Sequence, residues 1–73
     1  MDIYDLEDVL DIIYEYNIAP TIEQIKHILG FNYIKLRNIL NILIKNKIIK
    51  INNQEEIICL VSYDRALDII NSL

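Results

Sequence analysis

The chain has 73 residues, 53% of them apolar, and its formal net charge at pH 7 is −4. A chain this short forms one small domain, and it has little room for the pocket and partner groups that a catalytic pair of carboxylates needs. Its apolar runs, such as Ile57 to Val61, are far shorter than the ~20 residues of a membrane-spanning helix, and its N-terminus is acidic, unlike a signal peptide. We therefore expect a single, non-enzymatic, cytoplasmic domain over residues 1–73 that is not associated with a membrane.

The charged residues are sorted into three blocks along the chain. Residues 1–20 carry six acids and no base, residues 21–53 carry six bases and one acid, and residues 54–73 carry four acids and one base. The net charge is therefore negative although the middle segment of the chain is basic. A local basic stripe matters more for nucleic-acid binding than the charge of the whole domain. The alternative interpretation is that these bases only keep an exposed helix soluble.

The first predicted element is a helix over about residues 3–17. Its acids fall on one face, and Asn17 and Pro20 end it. The apolar residues that share the opposite face are Ile3, Leu6, Val9, Leu10 and Ile13.

A second helix is predicted over about residues 21–29. Thr21 and Gln24 fit a capping box, in which each side chain binds a free backbone amide at the start of the helix. Gly30 is the only glycine of the chain and suits the left-handed conformation that ends a helix. The residues expected to face inward are Ile22, Ile25, Ile28 and Leu29.

A third helix is predicted over about residues 32–46, with Asn32 as its N-cap. Its inward face consists of Leu36, Ile39, Leu40 and Leu43. The residues that face outward or lie on the flanks are Ile34, Lys35, Arg37, Asn38, Asn41, Ile42 and Lys45.

The sequence pattern changes to short β-branched runs after the third helix. Two such runs around the polar segment 52–54 predict a β-hairpin over about residues 47–61. Ser62 or Asp64 then caps a last helix over about residues 63–73. The predicted fold is mainly α with a small β-hairpin, in the order helix-helix-helix-strand-strand-helix.

This order and the segment Thr21–Asn32 resemble the winged helix-turn-helix family, which includes small dimeric transcription regulators of archaea, bacteria and archaeal viruses. The family's marks here are the capping hydroxyl of Thr21, the apolar Ile25 four residues on, and the turn Leu29–Phe31 into a polar cap. The resemblance covers roughly residues 3–61. The family often has glycine before the first wing strand. Here Asn46 or Lys47 takes that place, and of the two Asn46 is expected to tolerate a left-handed backbone.

The resemblance implies a sequence-specific, double-stranded DNA-binding protein, a transcription regulator whose third helix enters the major groove. The expected base readers are Arg37, Asn38 and Asn41, since arginine binds guanine edges and asparagine binds adenine edges. The residues expected to contact phosphates or groove edges are Tyr33, Lys35, Lys45, the helix-2 cap Thr21, and the wing residues Lys50, Asn52 and Asn53. The acidic first helix should face away from DNA.

The alternative is a protein–protein interaction module on the same fold, without DNA binding. Ile34 and Ile42 support it, because they project from the face that would meet DNA, although they could contact thymine methyls instead. The net charge of −4 also favours this alternative.

Other chemistry is not indicated by the sequence. Cys59 is the only cysteine and His27 the only histidine, so no metal site is expected. We interpret Cys59 as a buried core residue and His27 as a surface or partly buried residue of helix 2. No catalytic residue, cofactor or small-molecule ligand is predicted.

The last helix predicts a symmetric homodimer, because its apolar stripe needs a cover and Ile12, Tyr14 and Tyr16 add spare apolar surface. The predicted interface consists of Ala66, Leu67, Ile69, Ile70 and Leu73. The alternative is that the last helix folds back on the first and completes a monomeric core.

Overall fold

The computed structural model describes residues 3–16 and 18–73, and its elements follow the predicted order. They are helices α1 (Ile3–Glu15), α2 (Ile22–Leu29) and α3 (Tyr33–Lys45), strands β1 (Ile49–Ile51) and β2 (Ile57–Cys59), and helix α4 (Tyr63–Asn71). The prediction of a mainly helical chain with one antiparallel hairpin is therefore confirmed. Helix α1 ends at Glu15, before the predicted end at Asn17, which itself lies outside the described residues.

Both ends of α2 are fixed by the predicted local chemistry. The Thr21 hydroxyl accepts the Gln24 backbone N–H at 3.2 Å, and the Thr21 N–H donates to the Gln24 side chain at 2.9 Å. Gly30 has a φ of 67°, and its N–H donates to the Lys26 carbonyl at 2.9 Å. The capping box and the left-handed glycine are both confirmed, and they make α2 a helix of only eight residues.

Side-chain caps also start α3 and α4. Asn32 accepts the Lys35 N–H at 2.8 Å, and Ser62 accepts the Arg65 N–H at 3.2 Å. Each cap satisfies one of the amides that a helix start leaves without an intrahelical partner. The two caps therefore fix where the helices begin, and with that the faces they turn inward.

The left-handed residue after α3 is Lys47, with a φ of 60°, and the expectation for Asn46 is wrong. Asn46 stays at a φ of −91° because its backbone and side-chain N–H groups both donate to the Ile42 carbonyl, at 3.1 and 2.8 Å. These bonds prolong the helix end, so the chain reverses one residue later. The left-handed conformation of Lys47 costs a non-glycine residue about 1 kcal/mol.

All six elements contribute to one apolar core. Its fully or almost fully buried members are Leu6, Val9, Leu10, Ile13, Ile22, Ile25, Leu36, Ile39, Leu40, Leu43, Ile48, Ile49, Ile57, Ala66 and Ile70. Ile28 was expected inside but is 48% exposed. Helix α2 has only two turns, and Ile22, Ile25 and the partly buried Leu29 already fill its inner face.

The hairpin is joined to the start of α2. Strands β1 and β2 pair antiparallel, with Ile51 opposite Ile57. In addition to the strand pairing, two bonds join the hairpin to the start of α2. The Ile57 N–H donates to the Pro20 carbonyl at 2.7 Å, and the Ile22 N–H donates to the Glu55 carbonyl at 3.1 Å. These bonds bring the hairpin and the α2 N-terminus to the same end of the molecule.

Cys59 is exposed, which contradicts its expected burial. It shares a strand face with the buried Ile57, as the two-residue period of a strand requires. It is, however, the last residue of β2, and the next residue, Leu60, is itself 48% exposed. The residue opposite Cys59 on β1, Ile49, is buried, so the exposure of the thiol belongs to the end of β2 itself, and an apolar sequence run does not reveal it.

Helix α4 folds back on α1, as in the intramolecular alternative. Ala66 and Ile70 are 0% and 1% exposed in the single chain, so they cannot form a dimer interface, and that part of the prediction is wrong. Tyr14 is not spare surface either, because its hydroxyl donates to the Val61 carbonyl at 2.6 Å. Its ring also meets that of Tyr63 edge-on, at 5.5 Å between centroids.

Candidate nucleic-acid interface

The outward face of α3 carries a stripe of exposed residues on successive turns. The stripe consists of Ile34, Asn38, Asn41 and Lys45, which lie opposite the buried leucines of the same helix. Arg37, on the next row, is half-buried. The structure thus brings together four of the residues predicted to read bases or contact phosphate, namely Arg37, Asn38, Asn41 and Lys45.

Two further rows flank this stripe and are partly apolar. One contains Tyr33 and Ile44, which are 49% and 37% exposed. The other contains Lys35 and the half-buried Ile42. The face is therefore mixed in character, with Ile34, two amides and a lysine at its centre and further apolar side chains around them.

Lys35 is held by two neighbours. Its ammonium nitrogen lies 3.1 Å from the Asp5 carboxylate of α1 and 4.1 Å from the centroid of the Phe31 ring. The expectation that the acidic first helix faces away from the candidate interface is therefore wrong for Asp5. That carboxylate lines a surface hollow together with Asn32, Ile34, Lys35 and Asn38.

Two backbone amides at the start of α2 are already hydrogen-bonded within the chain. The Ile22 N–H already donates to the Glu55 carbonyl, and the Gln24 N–H donates to the Thr21 hydroxyl. These two amides are therefore not available to a phosphate. Thr21 also forms an isolated bridge with Glu56, which brings a carboxylate residue close to the predicted phosphate contact.

The hairpin connection gives Asn52 a different role from the predicted DNA contact. Its side-chain oxygen accepts the Gln54 and Glu56 N–H groups, at 3.0 and 2.9 Å, and its side-chain nitrogen donates to the Glu56 carboxylate at 2.7 Å. All of these bonds hold the turn. Lys50 and Asn53 remain exposed, on β1 and at the tip of the connection.

A second hollow lies along α2. It is lined by Tyr16, Glu23, Gln24, His27 and Ile28. His27 is exposed, as predicted. Sequence reasoning missed this hollow because it placed Ile28 inside. Within residues 3–16 and 18–73, no three His, Cys, Asp or Glu side chains are grouped as metal ligands would be.

The charges around the candidate interface are of both signs. Lys45, Lys47 and Lys50 are exposed at the end of α3 and the beginning of the hairpin, whereas Glu55 and Glu56 lie in the hairpin connection.

No helix in the described ranges combines the length and the apolar character that crossing a membrane requires.

Comparison of the chain with protein-family models, with curated proteins and with solved structures finds no match in any of the three. The function is therefore inferred from this chain's own residues and their arrangement.

Proposed function

We propose that the chain is a winged helix-turn-helix protein that binds double-stranded DNA sequence-specifically, as a transcription regulator that reads the major groove with α3. The observation that carries the proposal is the exposed stripe of Ile34, Asn38, Asn41 and Lys45 on one face of a capped helix. The major groove of B-DNA admits an α-helix, and amide and apolar side chains distinguish its base edges.

The chemistry of the stripe favours A·T base pairs at its centre. Asparagine can bond both N6 and N7 of adenine, so Asn38 and Asn41 are assigned to adenines. Ile34 is 73% exposed and suits contact with a thymine methyl group. Arg37 on the flank is assigned to a guanine, and Lys45 and Lys50 to phosphates.

Salt-dependent binding to a random DNA duplex is the first test. With two or three exposed lysines at phosphates, the logarithm of the binding constant should fall against the logarithm of salt concentration with a slope of roughly −2 to −3. Fluorescence anisotropy between about 50 and 200 mM salt measures this slope. Absence of salt-dependent binding would contradict the proposal.

Sequence specificity is the second test. A mobility-shift assay on the DNA upstream of the protein's own gene, followed by selection from a random duplex library, should give sites with adjacent A·T pairs. Selected sites without any base preference would reduce the proposal to non-specific binding.

One observation favours a second function, a protein–protein interaction module. Ile34 lies at the centre of the outward face of α3, and Tyr33 and Ile44 lie beside it. A partner protein could cover these side chains, and the net charge of −4 suits such a role better than DNA binding. If the chain does not bind duplex DNA even at low salt, the protein–protein interaction module becomes the better proposal.

A homodimer remains part of the proposal, on a smaller surface than the sequence predicted. With Ala66 and Ile70 buried, the remaining candidates are the half-buried Leu67 and Ile69 and the exposed Leu73. A two-fold dimer would set two α3 helices about 34 Å apart on a palindromic site. Sedimentation equilibrium at micromolar concentration tests it, and the mass of a single chain would contradict it.

A further inference from the structure

The ion pair between Asp5 and Lys35 lies at the edge of the candidate interface. Asp5 belongs to the first turn of α1 and Lys35 to the first turn of α3, and their charged atoms are 3.1 Å apart. The Lys35 side chain is 41% exposed and that of Asp5 25% exposed. Solvent, and hence a ligand from solvent, can therefore reach the ammonium group without any rearrangement of the backbone.

The surroundings of the pair connect it with the outward face of α3. The hollow that Asp5 and Lys35 line also contains Ile34 and Asn38, two members of the exposed stripe. DNA that lies along this stripe would bring its backbone close to Lys35. The acceptor that Lys35 now holds is a carboxylate oxygen, which has the charge and hydrogen-bonding capacity of a phosphate oxygen.

We infer that Asp5 is an intramolecular competitor for DNA phosphate at Lys35, which holds down the affinity of the protein for duplexes of any sequence. This inference rests on the proposed DNA binding by α3. In the free protein Lys35 is neutralised by Asp5. When DNA binds, either a phosphate displaces the Asp5 carboxylate from Lys35, or Lys35 stays paired with Asp5 and does not neutralise a phosphate. In both cases the negative charge of Asp5 stays close to the DNA backbone.

The physical consequence concerns counterions. Each phosphate that a protein cation neutralises releases condensed counterions. This release makes the slope of log binding constant against log salt concentration steeper by about 0.9. A lysine already paired with a carboxylate contributes little to this release. Because the ion pair is partly exposed, it is weak, and a phosphate can displace the carboxylate from Lys35. The competition therefore lowers the affinity for DNA without preventing binding.

Phe31 supports the exchange. Its ring centroid lies 4.1 Å from the Lys35 ammonium nitrogen, and this contact does not involve the Asp5 carboxylate. Cation–π attraction therefore keeps the ammonium group near its present position after the carboxylate is lost. The lysine is held ready for a phosphate.

The test compares Asp5→Asn with the parent chain on a random DNA duplex, by fluorescence anisotropy across a series of salt concentrations. The asparagine keeps the shape of the side chain and removes its charge. At the lowest salt we expect roughly two- to fivefold tighter binding, the equivalent of one weak ion pair. The salt slope should become steeper by roughly 0.9, and the gain should be the same for all sequences.

The matched control is Asp68→Asn, which removes one acid from an exposed position of α4 and changes the net charge equally. It should leave the salt slope unchanged. Lys35→Ala should have little effect in the parent, but it should abolish the gain when combined with Asp5→Asn. Circular dichroism verifies that each variant is folded, and Asp5→Ser replaces Asp5→Asn if the asparagine variant is not.

The outcomes distinguish this inference from the proposed function. If the parent binds duplex with a salt-dependent affinity and Asp5→Asn behaves like the parent or like Asp68→Asn, only the inference is overturned. A gain that survives Lys35→Ala, or one confined to a single base position, also overturns it. If the parent shows no salt-dependent duplex binding, the proposed function fails and the inference fails with it.

Discussion

The side chain of Asn52 binds both the backbone and the side chain of Glu56. Its oxygen accepts the Glu56 N–H at 2.9 Å, and its nitrogen donates to the Glu56 carboxylate at 2.7 Å. The backbone of Asn52 adds a bond from its own N–H to the Glu56 carbonyl at 3.1 Å. One residue therefore closes the hairpin connection, and Glu55 adopts a φ of 60° within it.

Asn52→Ala should destabilise the hairpin. It removes three side-chain hydrogen bonds, all of them in a partly solvated turn, so the free energy of unfolding should fall by about 1–2 kcal/mol. Urea denaturation measures the change. The matched control is Asn53→Ala at the exposed neighbouring position, which should change stability by less than about 0.5 kcal/mol. Equal effects of the two variants would contradict this account of the turn.

Ile70→Ala distinguishes a core residue from an interface residue. Ile70 is 1% exposed, so its truncation should lower the free energy of unfolding by about 2–5 kcal/mol, at any protein concentration. Leu73→Ala, at a position that is 64% exposed, serves as the control and should change it by less than about 0.5 kcal/mol. If the effect of Ile70→Ala disappears at low concentration, Ile70 is covered by a second chain.

Tyr14 should make the protein sensitive to alkaline pH. Burial, followed by the nearby Cys59 side chain, raises the pKa of Tyr14 from 10.0 to about 12. Below about pH 10 the hydroxyl is protonated in the folded and the unfolded chain, and its contribution to stability is fully present. Above that, the unfolded chain ionises first, and the contribution is lost as pH rises towards about 12.

Tyr14→Phe tests this pH dependence by urea denaturation at about pH 8 and about pH 11. Loss of the hydrogen bond to the Val61 carbonyl should cost about 1 kcal/mol at the lower pH, and the difference from the parent should shrink at the higher pH. Tyr33→Phe removes an exposed hydroxyl and serves as the control. A difference that stays constant with pH would contradict the assignment to Tyr14.

Features that depend on neighbours in sequence could be predicted without the structure. The caps at Thr21, Gly30 and Asn32 act over three or four residues, so residue type and spacing are sufficient to identify them. The inward faces of α1 and α3 follow the helical period for the same reason. The residues placed on them are buried except Ile3, in the first turn of α1, which is 40% exposed.

Features that depend on packing could not be predicted in this way. Asp5 and Lys35 are thirty residues apart, and only the crossing of α1 and α3 brings them together. Cys59 is exposed at the end of β2 although its cross-strand partner Ile49 is buried, and an apolar sequence run does not reveal this difference. The assignment of Asn52 to DNA followed its residue type, whereas its hydrogen bonds depend on the geometry of the turn.

Lys50→Ala should weaken binding to all duplexes alike. Lys50 is exposed on β1 and is assigned to a phosphate, so its loss should reduce the salt slope by roughly 0.9 at most. Anisotropy titrations on two unrelated duplexes at several salt concentrations measure both effects. The control is Arg65→Ala, which removes an exposed cation from α4 and should leave the slope unchanged. Loss of binding at a single base position would instead make Lys50 a base reader.

Arg37→Ala and Asn41→Ala should weaken binding to a selected site much more than binding to random duplex. Both side chains project from the side of α3 that does not face the core, and a good bidentate base contact contributes about 1–3 kcal/mol of discrimination. Each variant should also relax the preference at one base pair, which a repeated library selection would reveal. Asn71→Ala, at an exposed position of α4, is the matched control for Asn41→Ala. If both α3 variants bind the selected site as tightly as the parent, α3 is not the element that reads DNA, and a partner protein becomes the better candidate for its exposed face.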